Sequence, residues 1–500
     1  MLNMQNLKKS ISLIIILCIF LTMAFTACSV PKETGGASAA AETEREETEE
    51  EAPERMRVKD SLPDDLNFNG AVYRIFSAGE NQNKYIQGPE ELTGDIVFDT
   101  VIERNQIVEE RLNVKFEYFT LNYDYPEVAG ALRSLVLSGD DAYELVLNQQ
   151  YGACQVVSEG LFVNVLNGKY FNFDQPWWSV NYMSELCIGK DKVFFLVGDY
   201  FMDLIRGTAL LYFNKNLWKD YFGDEDLYTM VFDGKWTLEA INRYVKQVYR
   251  DLNGNGVHDE EDMYGYTTYA PYASVDPFSF GTDTKFTVRD DDGLITIAIN
   301  NDKAVKLTEI LNDFFWGEGS YVFPIGNAGH TNHFISGISL FLGGPACFAS
   351  AESLRDMEID YGMIPYPKYD EAQINYRSIP NDTRNYGMIL VTSDKLEMTS
   401  AVVEALCAES YRRLMPAYYE TALKVKYARD DISSQMIDLI HDSLTTEFIY
   451  AYYYSLNYLG SIFRTLVSSK SNNFASEYAK LEKGALAGLE KIKAAYLENY

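Results

Sequence analysis

Between residues 251 and 262 the side-chain types and their spacing imply a definite chemistry. Asp251, Asn253, Asn255 and Asp259 alternate with other residues around Gly254 and Gly256, and Asp262 closes the stretch. Oxygen ligands at the first, third, fifth, ninth and twelfth positions, with glycine at the sixth, are the pattern of an EF-hand calcium loop. The seventh position offers the Val257 carbonyl. Two ligands are neutral amides, and the twelfth is Asp, one methylene shorter than Glu. Weak, structural Ca2+ binding of the kind extracellular modules use is therefore expected. The spacing of Leu238, Ile241, Val245 and Val248 predicts a helix before the loop, and 263–268 reads as a strand after it. That makes a lone clip and not a sensor pair. A metal-free Asn/Gly/Asp turn is the alternative reading of the same residues.

Motifs of catalysis are thin. The sequence has no G-x-S-x-G, no H-E-x-x-H and no phosphate-cradling glycine loop. Its histidines are His258, His330, His333 and His441, and the pair three residues apart lies between glycines, in a predicted loop. Carboxylates are abundant, as in any strongly acidic chain, so their number alone does not single out a glycosidase-type acid/base pair. No enzyme activity is expected.

Aromatic residues carry more information. They make up 14% of the chain, and several stand where strands or domains should end: Trp177 and Trp178 after Pro176, Tyr200 and Phe201 after Asp199, and Trp316 before Gly317. Flat rings stack on the apolar faces of sugars while neighbouring Asn, Gln and Asp bond the hydroxyls. Core packing is the competing role for each of these rings.

The elements that must position these residues alternate. Strands are predicted at 71–76, 114–118 and 143–147, with helices at 95–112 and 125–137 between them. This β-α-β-α-β order belongs to an open, mostly parallel sheet, whose ligands sit beyond the carboxyl ends of the strands. Gln149 and Gln150 follow the third strand and so mark a ligand edge. Further strands are predicted at 193–197, 208–213, 264–268 and 335–342, and the last hundred residues read as helical.

At the amino end, Lys8 and Lys9 precede an apolar run at 11–25 and the small residues Thr26 and Ala27. That is the layout of an export signal, too short for a comfortable bilayer span. Cys28 next to the cleavage point resembles the lipobox of bacterial lipoproteins, with Phe25 where that pattern prefers Leu. The resemblance implies lipidation of Cys28 and anchoring to the extracellular face of the cell membrane; an uncleaved anchor is the alternative. Nine carboxylates between Glu33 and Glu54 and a lack of large apolar residues make 28–60 an expected disordered, acidic tether. The remainder is globular by composition, with 47% hydrophobic and 23% charged residues, enough for two domains. A net charge of −30 without a basic cluster excludes nucleic acid as a partner. Cys154, Cys187, Cys347 and Cys407 match neither a zinc nor a disulfide spacing and read as mostly buried apolar residues.

From about residue 70 onward the chain resembles the bacterial extracellular solute-binding proteins of family 1, the sugar-type receptors of ABC importers. The resemblance is carried by Arg104 and Asn105 running to Leu112, by 211–218 followed by 233–237, by the 251–262 loop with Tyr264 and Gly265, and by 360–370. Glu404 to Tyr411 and Lys426 to Asp430 add to it. It implies an α/β, two-lobed periplasmic-binding-protein-like fold with hinge crossings and a helical C-terminal part. It places 61–165 with 340–395 in lobe 1 and 166–339 with 396–500 in lobe 2. A small solute, a sugar or oligosaccharide in the family's type, would be held between the closing lobes and passed to ABC permease subunits. The cleft contacts expected are Gln149, Gln150, Trp177, Trp178, Asp199, Trp316, Asn381, Asp382 and Arg384, with 343–345 as a turn at the cleft edge. A secreted carbohydrate-active enzyme and a ligand-presenting accessory protein for a sensor kinase are the competing classes.

Overall fold

The computed structural model describes residues 54–498 except 79–83, 122–124, 270, 325, 351–353, 355–356 and 425–430. Cys28, the leader, the tether as far as residue 53 and the segment 426–430 lie outside the described residues.

Two sheets organise the body. The first begins with β1 (Ala71–Ala78), α1 (Ile96–Leu112), β2 (Val114–Leu121), α2 (Tyr125–Ser138) and β3 (Leu145–Gln149), followed by α3 (Gln150–Val156). Helix α1 forms because Val97, Val101, Val108 and Leu112 recur on one buried face. Asp95 caps it by accepting from the Val97 and Phe98 amides, and Asn113 ends it in the left-handed region at φ 47°. The short α4 (Met202–Arg206) leads into the second sheet, built from β4 (Ala209–Asn214), β5 (Tyr264–Tyr269), β6 (Ser320–Phe323), β7 (Ser339–Pro345) and β8 (Tyr361–Ile364). Between these strands run α5 (Leu238–Val248), α6 (Pro271–Phe280) and α7 (Asp302–Trp316). The chain then returns to the first sheet as β9 (Asn385–Met388).

Strand order is β9-β3-β1-β2 in the first sheet and β8-β4-β7-β5-β6 in the second. β1 runs parallel to β2 and β3, and β9 runs antiparallel to β3. Parallel pairs β5–β6 and β5–β7 form the heart of the second sheet, with β4 and β8 antiparallel at one side. The C-terminal part is helical: α8 (Leu396–Glu409), α9 (Met415–Lys424), α10 (Asp431–Asp442), α11 (Ile462–Ser468) and α12 (Phe474–Glu498). Among the described residues no helix is long and apolar enough to cross a membrane.

Four expectations are corrected. Residues 339–345 and 361–364 do not return to the first lobe; they pair with β4 and β5 in the second sheet, and only β9 crosses back. The C-terminal helices divide between the two halves, since α8 and α9 pack on α1 while α10 packs on β8 and α11 on α6. Residues 54–60 are not part of a free tether. Asp60 is gripped by Arg111 at 2.7 Å and by Arg412 at 3.3 Å, and the Arg55 guanidinium covers the Tyr411 ring at 4.3 Å. A carboxylate with two arginine partners outweighs the disorder that the local composition suggests. Residues 193–197, expected as a strand, make only a bridge from Leu196 to Gly387.

Candidate functional site

The two sheets direct their carboxyl ends at one seam. Tyr269 ends β5, Pro345 ends β7 beside Ala209, and Gln149 ends β3 beside Asn385. Three chain passages run side by side there. The Ala209 amide donates to the Ile379 carbonyl at 3.0 Å and the Asn381 amide to the Gly207 carbonyl at 3.2 Å. Ser378 in turn exchanges backbone bonds with Ser443 and Thr445 at 2.9 and 3.0 Å. Such a narrow, hydrogen-bonded ribbon between two larger packed bodies is where a hinge belongs.

A cavity of about 250 Å³ opens at this seam. Gly207 and Ala209 form one side, Ser274, Asp276 and Pro277 of α6 another, and residues 379–381 with Arg384 a third. Gly343, Gly344 and Pro345 of β7, with Cys347, Phe348, Tyr366, Tyr269 and Tyr450, complete the lining. The glycines have a steric reason. A Cβ on Gly343 would lie 2.5 Å from the Tyr366 hydroxyl, one on Gly344 2.5 Å from the Phe348 ring, and one on Gly207 2.2 Å from Arg384 Nε. Bare backbone thus lets rings and a guanidinium lie against the cavity wall. A larger groove of about 440 Å³ near Phe232, Ile374 and Tyr376 takes no residue from either sheet.

Charge in the wall is arranged in two groups. Arg464 reaches from α11 to Asp276, with Nε at 2.8 and 3.0 Å from its two oxygens, and to Asp382 at 3.1 Å. Burial pushes the Asp276 carboxyl up to about 6 against the pull of Arg464. On the other side Asp203 accepts from Arg384 at 3.3 Å and from the Asn385 amide at 3.1 Å.

Of the residues expected in the cleft, Asn381 and Arg384 line the cavity. Asp382 stands behind it, held by Arg464. Gln149 and Gln150 are buried at the first-sheet edge; the Gln150 amide donates to the Arg384 carbonyl at 3.0 Å, and its side-chain oxygen accepts from Tyr182. Trp177 and Trp178 are corrected to core residues. Their indole N–H groups donate to Glu404 at 3.2 and 3.0 Å, and Phe171, Phe173 and Tyr411 pack around them. Glu404 is buried with no ion-pair partner among the described residues, and desolvation pushes its carboxyl up to about 7 despite those donors and the Asn172 amide. Asp199 is buried against His441 at 3.2 Å; burial opposes the imidazolium, but Asp199 and Asp442 raise it to about 9. Trp316 is corrected too: its indole donates to the Val467 carbonyl at 2.8 Å and Lys470 covers its ring. The rings that sequence reasoning missed are Tyr269, Phe348, Tyr366 and Tyr450, whose local spacing gives no sign of the cavity.

The 251–262 loop is tightly wound. Gly254 and Gly256 take φ of +71° and +69°, and their amides donate to Asp251 at 2.6 and 2.8 Å. Asn253 and Asn255 accept from the amides of Asn255 and Val257, and Asp259 from that of Glu261. Asp262 is buried at the base, accepting from the Tyr249 hydroxyl at 3.1 Å and the Leu252 amide at 3.3 Å. Among the described residues no group of three or more His, Cys, Asp or Glu is placed as a metal cluster. The all-oxygen set of carboxylates, amides and the Val257 carbonyl suits a hard cation. His330 and His333, expected in a loop, lie on a helix at Gly329–Ile335 and are buried among Tyr269, Tyr264 and Phe323, which lowers both imidazoles.

No protein-family model and no curated protein sequence matches the chain. Solved structures do. One is UgpB from Mycobacterium tuberculosis in complex with glycerophosphocholine, at 12% identity and TM-score 0.53, covering 84% of this chain and 98% of that one. A second is a cyclo/maltodextrin-binding protein with maltotetraose, at 12% identity and TM-score 0.52, covering 86% and 97%. A third is the galacto-N-biose/lacto-N-biose I-binding protein of the Bifidobacterium longum ABC transporter, at 11% identity and TM-score 0.54, covering 85% and 98%. The chain has the solute-binding-protein fold. The expected two-lobed α/β architecture is the one found. In a solute-binding fold the seam between the sheets is the natural place for a ligand, because both sets of strand ends open onto it.

Proposed function

We propose that the protein is a membrane-tethered extracellular receptor that captures a carbohydrate between its two halves and delivers it to an ABC permease. The observation that carries this reading is the seam cavity, where Tyr269, Phe348, Tyr366 and Tyr450 stand beside Ser274, Asn381 and Arg384. Rings offer faces for stacking and the polar groups bond hydroxyls. The neighbours in complex with maltotetraose and lacto-N-biose support a saccharide. The lining comes from the second sheet, its surroundings and the hinge ribbon, so a ligand that also reaches the first-sheet edge at Gln149 would bind the closed form better and shift the population toward it. The closed shape is then what a permease recognises. Binding and not catalysis fits the wall chemistry, since Asp276 gives both oxygens to Arg464. Export and acylation of Cys28 would place the receptor on the outer face of the membrane, and Ca2+ on the 251–262 loop would staple the segment between α5 and β5.

A thermal-shift and calorimetric screen of the full chain against mono- and oligosaccharides tests the reading, since a ligand stabilises only the state that binds it. Stabilisation by a saccharide, lost on Phe348→Ala, is expected. Silence across the saccharides with a response to peptides or polyols overturns the carbohydrate assignment.

A further inference from the structure

Resting on the reading of the seam cavity as a carbohydrate site, we infer that its ligand is an acidic saccharide whose carboxylate sits on Arg384. Among the described residues, Arg384 and Asp276 are the charged members of the cavity lining, and their situations differ. Asp276 has both oxygens taken by Arg464, which also holds Asp382 at 3.1 Å, so that wall has little acceptor capacity left for a cation. Arg384 faces the opposite case. It shares Asp203 with Arg206, the two guanidinium groups lying 3.3 and 3.8 Å from the same carboxylate oxygen, and the other oxygen accepts the Asn385 amide.

Two cations against one carboxylate leave an excess positive charge. The Nε atoms of both Arg384 and Arg206 are shut off from solvent and lack a hydrogen-bond partner. Arg384 Nε lies against Gly207, so a ligand carboxylate would meet the terminal nitrogens of a side chain that keeps 20% exposure. The guanidinium is also held in place, because Gly207 has no Cβ to push Arg384 off the wall. Three arginines and three aspartates surround the site in total, so the selectivity comes from their separation: an open donor end at Arg384 and a closed acceptor end at Asp276. Phe348 and Tyr269, both only partly buried, offer stacking faces in the same lining. A uronic-acid unit supplies what this geometry lacks, a carboxylate at one edge of a sugar ring.

The test is isothermal titration of the full chain with matched pairs: digalacturonate against α-1,4-galactobiose, and β-1,4-diglucuronate against cellobiose. In at least one pair the uronate is expected to bind ten-fold or more tightly, with affinity falling as salt rises. Arg384→Gln should weaken the uronate at least ten-fold and bring the acid-to-neutral ratio close to one, while Arg384→Lys keeps part of it. Far-ultraviolet circular dichroism of each variant separates lost folding from lost binding. Neutral members binding as well as or better than their uronates, or a ratio untouched by Arg384→Gln, overturns the acidic assignment and leaves the carbohydrate reading standing. Binding of neither member of any pair, alongside a response to non-saccharide solutes, overturns both.

Discussion

Replacing Arg464 with methionine removes the cation between Asp276 and Asp382 while keeping much of the side-chain length. Both carboxylates are nearly out of solvent, with side-chain exposures of 5% and 10%. Without the guanidinium each must remain a lone buried charge or take up a proton. Protonating a carboxyl of ordinary acidity costs about 5–6 kcal/mol at pH 8 and about 1.5 kcal/mol at pH 5. These are ceilings, because Asp276 is already pushed up to about 6 by burial and water entering the cavity relieves part of the strain. The expected destabilisation is about 3–5 kcal/mol at pH 8, the range for breaking a buried ion pair from one side, and about 1–2 kcal/mol at pH 5. Urea unfolding of the full chain at the two pH values reads it from the shift in midpoint. A deficit below about 1 kcal/mol at pH 8 is what an exposed pair gives. That result, or an equal deficit at both pH values, refutes the picture of a dry Arg464 clamp.

Glu404 gives the protein a pH slope. Its folded carboxyl is raised to about 7, so its contribution is full below the ordinary carboxylate range and is lost as pH rises to about 7. Glu404→Gln should flatten stability between pH 5 and 7 by up to about 1.4 kcal/mol per pH unit; an unchanged slope in denaturant titrations counts against it. Gly207→Ala keeps an ordinary backbone, since φ is −87°, but places its Cβ on Arg384. Saccharide affinity should fall about ten-fold or more with a melting shift of only about 2 °C, and unchanged titration would show that Arg384 lies elsewhere. Chelation of calcium should lower the melting temperature by about 2 °C relative to 10 mM Ca2+, as expected for a site of roughly millimolar affinity. No difference between the two, in the wild type and in Asp251→Asn alike, removes the metal clip.

The first sheet was legible because each of its three parallel strands is a run of β-formers bounded by an amphipathic helix, so periodicity alone placed 71–78, 114–121 and 145–149 within a few residues. β9 escaped notice. Asn385, Tyr386, Gly387 and Met388 form a four-residue strand with a glycine inside, too short for an alternating pattern. Its existence depends on pairing with β3, more than two hundred residues earlier. Trp177 and Trp178 give no local sign of their core role for a related reason: the acceptor that draws their indoles into the core is Glu404, similarly distant in sequence. Asn381 and Arg384 were found because a polar loop after Ile379 and Pro380 stands out locally. Gly343 and Gly344, expected at the cleft edge, line the cavity, although they end a strand and do not form a turn.

Asp60 has a mechanical consequence. Its grip on Arg111 and Arg412 joins the chain's point of entry to α1 and to the helical segment Ser410–Leu414 that continues α8. Any pull transmitted along the preceding segment therefore enters the half containing β1 and cannot tug directly on β5 or β7. If Cys28 is anchored as proposed, that half would be the moored one, and the other could swing over a captured molecule without dragging its mooring line.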